Sequence, residues 1–156
     1  VEIFDPVKIS IAESKGVLTT PRAGHVGVTL NDGRLMLVGG RCGSSCKVPG
    51  NELYDPVTDQ VTKINHQGSP PSYHAVVKLN DGKVLVIGGA YSDEKKVAVF
   101  DPKGLFWKIG PSIKHGRFAH PATLLKDGRV LVAGGKTGSP SDLKAPHVTT
   151  AELSTP

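Results

Sequence analysis

The sequence repeats itself, and that constrains the fold more than any other feature. Three sixteen-residue segments align without a gap: His25 to Gly40 (HVGVTLNDGRLMLVGG), His74 to Gly89 (HAVVKLNDGKVLVIGG) and His120 to Gly135 (HPATLLKDGRVLVAGG), with histidines 49 and 46 residues apart. A second motif recurs between them: EIFDP ending at Pro6, ELYDP at Pro56, AVFDP at Pro102 and a weaker ELSTP at Pro156, at offsets of 50, 46 and 54. Two independent motifs on one period divide the chain into repeats over about 1–50, 51–97 and 98–156. Such a repeat is one supersecondary unit that buries its apolar face by stacking on its neighbours.

Each motif has a mechanical reading. Asp-Gly (Asp32-Gly33, Asp81-Gly82, Asp127-Gly128) sits between two apolar runs. A tight hairpin of type I′ needs positive φ at both central residues, which Asp-Gly supplies, so a hairpin is expected at each. The second run (Leu35 to Val38, Val84 to Ile87, Val130 to Ala133) is continuously apolar, as suits a strand buried on both faces. The Gly-Gly pairs that close it, Gly39-Gly40, Gly88-Gly89 and Gly134-Gly135, allow close backbone approach or an unusual dihedral. The Asp-Pro motifs end a third strand, because Pro sets up a turn and cannot donate to a ladder. A fourth run follows each: Lys8 to Ile11, Gln60 to Ile64 and Phe106 to Ile109. Four antiparallel strands per repeat of about fifty residues is the blade of an all-β propeller.

Composition removes other classes. Of 156 residues, 38% are hydrophobic and 21% charged, enough for a packed core and against wholesale disorder. No apolar run approaches the ~18 residues of a membrane span. No heptads occur, so a coiled coil is excluded. The net charge of +5 comes from scattered Lys and Arg, with Lys95-Lys96 the only adjacent pair. A nucleic-acid binder clusters its cations and interleaves aromatics, which here are 5% of the chain. Nucleic acid is therefore not an expected partner. Cys42 and Cys46 supply half of a four-ligand zinc set, and the spacing of His25 and His74 does not recommend them to complete it. A local disulfide across Gly43-Ser44-Ser45 is expected if the protein is exported; in a reducing compartment both would be free thiols. No signal peptide with a charged start and apolar middle is present, and the chain begins inside what reads as a strand, so a processed product or fragment is expected.

These residues resemble the kelch repeat. Its signature is a strand ending in Gly-Gly, then an aromatic several residues before a Trp, and Phe100 with Trp107 match that pair in the third copy of the Asp-Pro motif. Elsewhere the pattern departs: Tyr54 is followed by Val61, and Phe4 by Ile11. The wording DGRVLVAGG with ELYDP is similar to multi-repeat kelch proteins that bacteria export, a subgroup like the galactose-oxidase-type propellers. The resemblance implies complete blades over about 24–65 and 74–110, strands three and four of another over about 1–13, and strands one to three of a last over about 120–153. Propellers have four to eight blades. About three repeats therefore imply a partial propeller or half of a six-bladed ring, completed by another polypeptide or a second copy. The expected location is secreted, periplasmic or cell-surface.

Candidate sites follow from position in the repeat. His25, His74 and His120 occupy one position and are expected to be structural, hydrogen-bonding a neighbouring loop backbone at the start of each blade. The glycine pairs and Trp107 are likewise expected in structural roles, Trp107 between blades. Arg22 and Arg117 precede their histidines by three residues, where the middle copy has Pro71. The resemblance places this approach near the central channel. Two arginines there suit a carboxylate or sugar acid, or pair with a carboxylate of the protein. Tyr73 and Phe118 beside them stack on a sugar ring or pack. Loops after the Gly-Gly pairs, Arg41 to Asn51, Ala90 to Lys96 and Lys136 to His147, differ in length and composition, as loops that carry specificity do.

No GxSxG, no HExxH and no phosphate-cradling loop occurs, so no catalytic residue, cofactor or metal is assigned. The expected function is a non-catalytic kelch propeller that binds protein or glycan, or a structural part of an exported assembly. The alternative that the resemblance implies is a kelch-type enzyme acting on sugars, either a copper-radical oxidase or a sialic-acid mutarotase. The oxidase type needs a Cys-crosslinked Tyr with further Tyr and His ligands, an arrangement that cannot be recognised here.

Overall fold

The computed structural model describes residues 2–43, 50–65, 71–90 and 94–154. Among these residues the regular structure is all β, and within each sheet the strands pair antiparallel in chain order. Sheet I is the hairpin β1 (Glu2–Asp5) and β2 (Ser10–Glu13). Sheet II is the meander β3 (Val26–Thr29), β4 (Leu35–Val38), β5 (Asn51–Asp55) and β6 (Gln60–Ile64). Sheet III repeats it with β7 (Ala75–Lys78), β8 (Val84–Ile87), β9 (Val97–Asp101) and β10 (Phe106–Ile109). Sheet IV holds β11 (Ala122–Leu124), β12 (Val130–Ala133) and β13 (Ala151–Leu153).

The two turn motifs recur with the same bonds. In the Asp-Gly hairpins the Leu30, Leu79 and Leu125 N–H groups donate to the Arg34, Lys83 and Arg129 carbonyls, each at 2.8 Å. The Gly33, Gly82 and Gly128 N–H groups donate back to the same leucines. The expected two-residue type I′ turn is therefore not formed. Only the glycine has positive φ (87°, 87° and 86°), and each loop has three residues ending in a left-handed glycine. The aspartates stay in the ordinary region because their side chains accept from the N–H two residues on, at 3.0–3.1 Å. Asp5, Asp55 and Asp101 cap the Asp-Pro turns in the same manner, accepting from Val7, Val57 and Lys103.

The core lies between sheets, not within one. Met36, Val38 and Leu53 of sheet II pack with Val84, Val86, Phe100 and Trp107 of sheet III. Val77, Ile87 and Val97, from the opposite face of sheet III, pack with Val130 and Val132 of sheet IV. The alternation along β8 explains this: Val84 and Val86 point one way, Ile87 the other. Leu37, Val86 and Val132, one per repeat, are all buried. Trp107 is buried in the first of these cores with its ring centroid 5.0 Å from that of Phe100. Burying each such side chain contributes roughly 1.5–3 kcal/mol.

Strand β7 lies beside both β3 and β11, so the leading strands of the three larger sheets run side by side. The glycine pairs make this approach possible, with a different role for each member. A Cβ on the first glycine would strike the next sheet: at Gly39 it would lie 2.2 Å from the Pro71 carbonyl, at Gly88 2.5 Å from that of Arg117. The second glycine faces its own repeat, where a Cβ on Gly40, Gly89 or Gly135 would meet its own histidine Cβ at 2.8–2.9 Å. The second glycine's N–H also crosses to the next sheet, from Gly40 to the Pro71 carbonyl (3.0 Å) and from Gly89 to that of Arg117 (2.9 Å).

Candidate functional site

The segments that enter β3, β7 and β11 come together at one rim. The Tyr73 N–H donates to the Gly24 carbonyl at 3.1 Å, and the Ala119 N–H to the Tyr73 carbonyl at 2.7 Å. One chain of bonds thus crosses three sheets. All three residues are left-handed, with φ of 66°, 56° and 50°. For Tyr73 and Ala119 that conformation costs about 1–2 kcal/mol each, so the inter-sheet bonds hold strained backbone. The Tyr73 ring lies against Gly24, and the residue remains 38% exposed. Antiparallel bridges join this rim to the loops after the glycine pairs: Ala23 to Arg41, Ser72 to Ala90, and Phe118 to Lys136, which also bridges His147.

The loop over residues 136–147 is built on its own bonds. Asp142 N–H donates to the Ser139 carbonyl and Ala145 N–H to that of Asp142, each at 3.0 Å. Glu94 clamps the loop's start, accepting from Thr137 Oγ1 at 2.8 Å and the Gly138 N–H at 3.1 Å. Beneath it Ala90, Phe118 and Ala145 form a small apolar core. The tip carries Leu143, 94% exposed.

Of the four side chains singled out for a ligand, Tyr73 alone is exposed at the rim. Phe118 is buried under the loop. Arg117 is fully buried, and all its donors are used. Its Nε donates to the His115 carbonyl and Nη1 to the Gly134 and Thr150 carbonyls, while Nη2 donates to Thr150 Oγ1 and to Glu152 at 2.7 Å. Arg22 is held in a similar way in its repeat, Nη1 donating to the Gly39 and Gly50 carbonyls and Nη2 to Glu52 at 2.7 Å, with both side chains about 1% exposed, while its buried Nε has no hydrogen-bond partner among the described residues. The two arginines are turned into their own sheets, where each ties the end of the second strand to the start of the third.

Sequence reasoning missed the acceptors. Glu52 and Glu152 open the motifs ELYDP and ELSTP, where the middle copy has Ala98. Arg occurs where Glu occurs, and Pro71 where Ala98 does: that joint exchange was the available signal. Burial opposes ionisation of Glu152, but the N–H groups of Lys114 and His115 and the Arg117 guanidinium hold its carboxyl down to about 2. Asp59 was missed as well. It accepts from Ser14 Oγ, from the Lys15 N–H at 2.7 Å and from the Tyr54 hydroxyl at 3.0 Å, which together hold it at about 2 and pin the chain leaving sheet I onto sheet II.

The rings of His74 and His120 pack against glycines of the preceding sheet. His120 sets its ring against Gly88, 2.9 Å from where a Cβ would stand, and His74 does so against Gly39 at 3.0 Å. Neither ring nitrogen of His120 has a hydrogen-bond partner among the described residues, so the expected bond to a loop backbone is not its role. Burial, with the Arg117 charge nearby, pushes its pKa down to about 4 and keeps the ring neutral. His25 is exposed.

Cys42 is disulfide-bonded, so its sulfur is committed; Cys46 lies outside the described residues. Among the described residues no group of three or more His, Cys, Asp or Glu is placed to hold a metal ion. No described helix is long and apolar enough to cross a membrane.

No family model matches the chain, and no curated protein matches it. Among solved structures, one titled "Structure of YjhT" superposes with a TM-score of 0.77 at 18% identity, over 96% of this chain and 58% of that one. The chain thus spans less than two thirds of that neighbour. The likeness is one of backbone arrangement.

Proposed function

We propose that the chain is an arc of a kelch-type β-propeller, completed by further blades, and that it serves as a non-catalytic binding module of an exported or cell-surface protein. Sheets II and III are its complete blades, and sheets I and IV are parts of two more. Supporting the arc are three leading strands side by side and the repeated glycine–histidine seam. The ligand is a protein or glycan taken at the rim. The observation that carries this is the line Gly24–Tyr73–Ala119, which presents an aromatic face on backbone fixed by inter-sheet bonds. The backbones of Arg41 and Lys136 are bridged into the same rim, so two basic residues border it, a composition suited to an acidic sugar or a carboxylate-bearing peptide. The loop over 136–147 adds an apolar tip.

The test is a glycan array and an acidic-peptide array, probed with the chain, with Tyr73→Ala, and with Leu143→Ser. Binding lost in Tyr73→Ala while the fold is retained supports the reading. Binding indifferent to both substitutions, or a copper-dependent oxidase activity in the purified protein, overturns it.

A further inference from the structure

Resting on the rim reading above, we propose that the loop over 136–147 is a lid latched by Glu94, and that its opening uncovers Phe118 as a second aromatic surface beside the Tyr73 line.

The loop is built to move as one piece. Its neck is closed by the Thr137 N–H, which donates to the Pro146 carbonyl at 3.0 Å, and by the Val148 N–H, which donates to that of Gly135 at 2.9 Å. Between these ends the loop satisfies itself. To the two backbone bonds around Asp142 it adds the Lys144 N–H, donating to the Asp142 carboxylate at 2.8 Å, and the Ser139 and Ser141 hydroxyls, paired at 2.7 Å. A compact loop with joined ends and its own bonds is an Ω-loop. Among the described residues, hydrogen bonds tie it to the body at two places. At its base Lys136 and Phe118 exchange backbone bonds at 2.8 and 3.0 Å, and above them Glu94 holds Thr137 and Gly138. The first is the hinge. The second is one side chain of the preceding repeat, and releasing it breaks no strand pairing.

What lies beneath the loop is the second observation. Phe118 is buried, yet among the described residues the loop gives that small core Ala145 alone. One methyl group closes over a whole ring, so little apolar burial opposes opening. Nor does strand pairing require the ring. Ala23 and Ser72 make the same bridge in their repeats with small side chains. An aromatic therefore stands under a loop where the other repeats have Ala and Ser. The next residue, Ala119, bonds the Tyr73 carbonyl, so lifting the lid adds Phe118 to the line that carries Tyr73.

Thiol labelling of the full chain tests the latch with no ligand present. Cys42 is disulfide-bonded and no described cysteine is free. Ala145→Cys, under the lid, and Leu143→Cys, at its exposed tip, therefore each supply a reactive site for N-ethylmaleimide, read by intact mass under non-reducing conditions. Ala145→Cys is expected to label at least about tenfold more slowly than Leu143→Cys. Adding Glu94→Ala is expected to raise the Ala145→Cys rate about tenfold, as loss of a charge-assisted hydrogen bond does, and to leave Leu143→Cys unchanged. Thr137→Val, which removes one donor and keeps Glu94, is expected to give a smaller rise. An Ala145→Cys rate indifferent to both changes, or equal rises at both cysteines, overturns the lid. So does a rise accompanied by exposure of Trp107 to quencher, since the sheets themselves would then have parted. The arrays fail separately. Array binding lost in Tyr73→Ala, with labelling indifferent to the latch, overturns the lid alone. Latch-dependent labelling with array binding indifferent to Tyr73→Ala leaves the lid standing and overturns the rim reading.

Discussion

Gly88 and Gly134 hold the same place in the repeat and the same left-handed backbone, with φ of 61° and 63°. At Gly88 the next sheet closes within contact distance, with His120 above it and the Arg117 carbonyl beside it; at Gly134 a Cβ would meet only the Val148 carbonyl among the described residues, at 3.9 Å. The left-handed backbone asks for glycine at both positions, and the close neighbour adds a second reason at Gly88. A closed seam and an open seam in one chain separate what a repeat does alone from what stacking adds.

The buried ion pairs give the largest expected effect. Arg22→Ala leaves the Glu52 carboxylate buried with its cation gone, an expected loss of about 3–5 kcal/mol in urea unfolding. The double change Arg22→Pro with Glu52→Ala copies the middle repeat, which has Pro71 and Ala98. It is expected to recover at least half of that loss. A double variant no better than the single one would mean that the middle repeat stands on something other than this exchange.

The glycines are the next test. Gly88→Ala combines left-handed strain with a backbone clash, an expected loss of about 3 kcal/mol; Gly134→Ala has the strain alone, about 1–2 kcal/mol. Equal losses would erase the distinction between closed and open seams.

Acid sharpens it further. His120 has its pKa depressed to about 4 from the usual 6.5, so the unfolded chain takes up its proton first as pH falls. Stability is therefore full above about 6.5 and declines as pH falls toward 4. Glu152, held at about 2, adds a contribution that is present above its usual range near 4.5 and is lost on further acidification. In His120→Gln the decline between 6.5 and 4 is expected to flatten, as read by melting temperature against pH. An unchanged slope would place the titration elsewhere.

The smallest effect is expected at the rim. Tyr73→Ala removes a ring that is 38% exposed and is expected to change stability by less than about 1 kcal/mol. A larger loss would make Tyr73 a structural residue and weaken its assignment to binding.

Much of the architecture was legible in the sequence because strands and turns follow local rules. Alternation and Asp-Pro punctuation placed the strands, and the aspartates of both turn motifs do cap their loops. The Asp-Gly turn type was misread because dipeptide preference ignores the side chain of Asp32, which bonds the Arg34 N–H and so favours a longer loop. The roles of Arg22, Arg117 and His120 were less legible, since each depends on residues 17 to 35 positions away that only stacking and strand pairing bring near. A lone arginine in a rim segment reads equally well as a ligand contact. The glutamate that decides the matter lies at the far end of the repeat.

The central claim is that one seam, made twice inside the chain, holds neighbouring sheets together through the glycine pairs. Amide hydrogen exchange at Gly40, Gly89 and Gly135 tests it most directly. The account predicts slow exchange at Gly40 and Gly89, whose N–H groups cross to the next sheet, and faster exchange at Gly135, whose N–H makes no such bond among the described residues. Gly135 protected to the same degree as Gly89, or Gly40 and Gly89 exchanging as fast as Gly135, would contradict it.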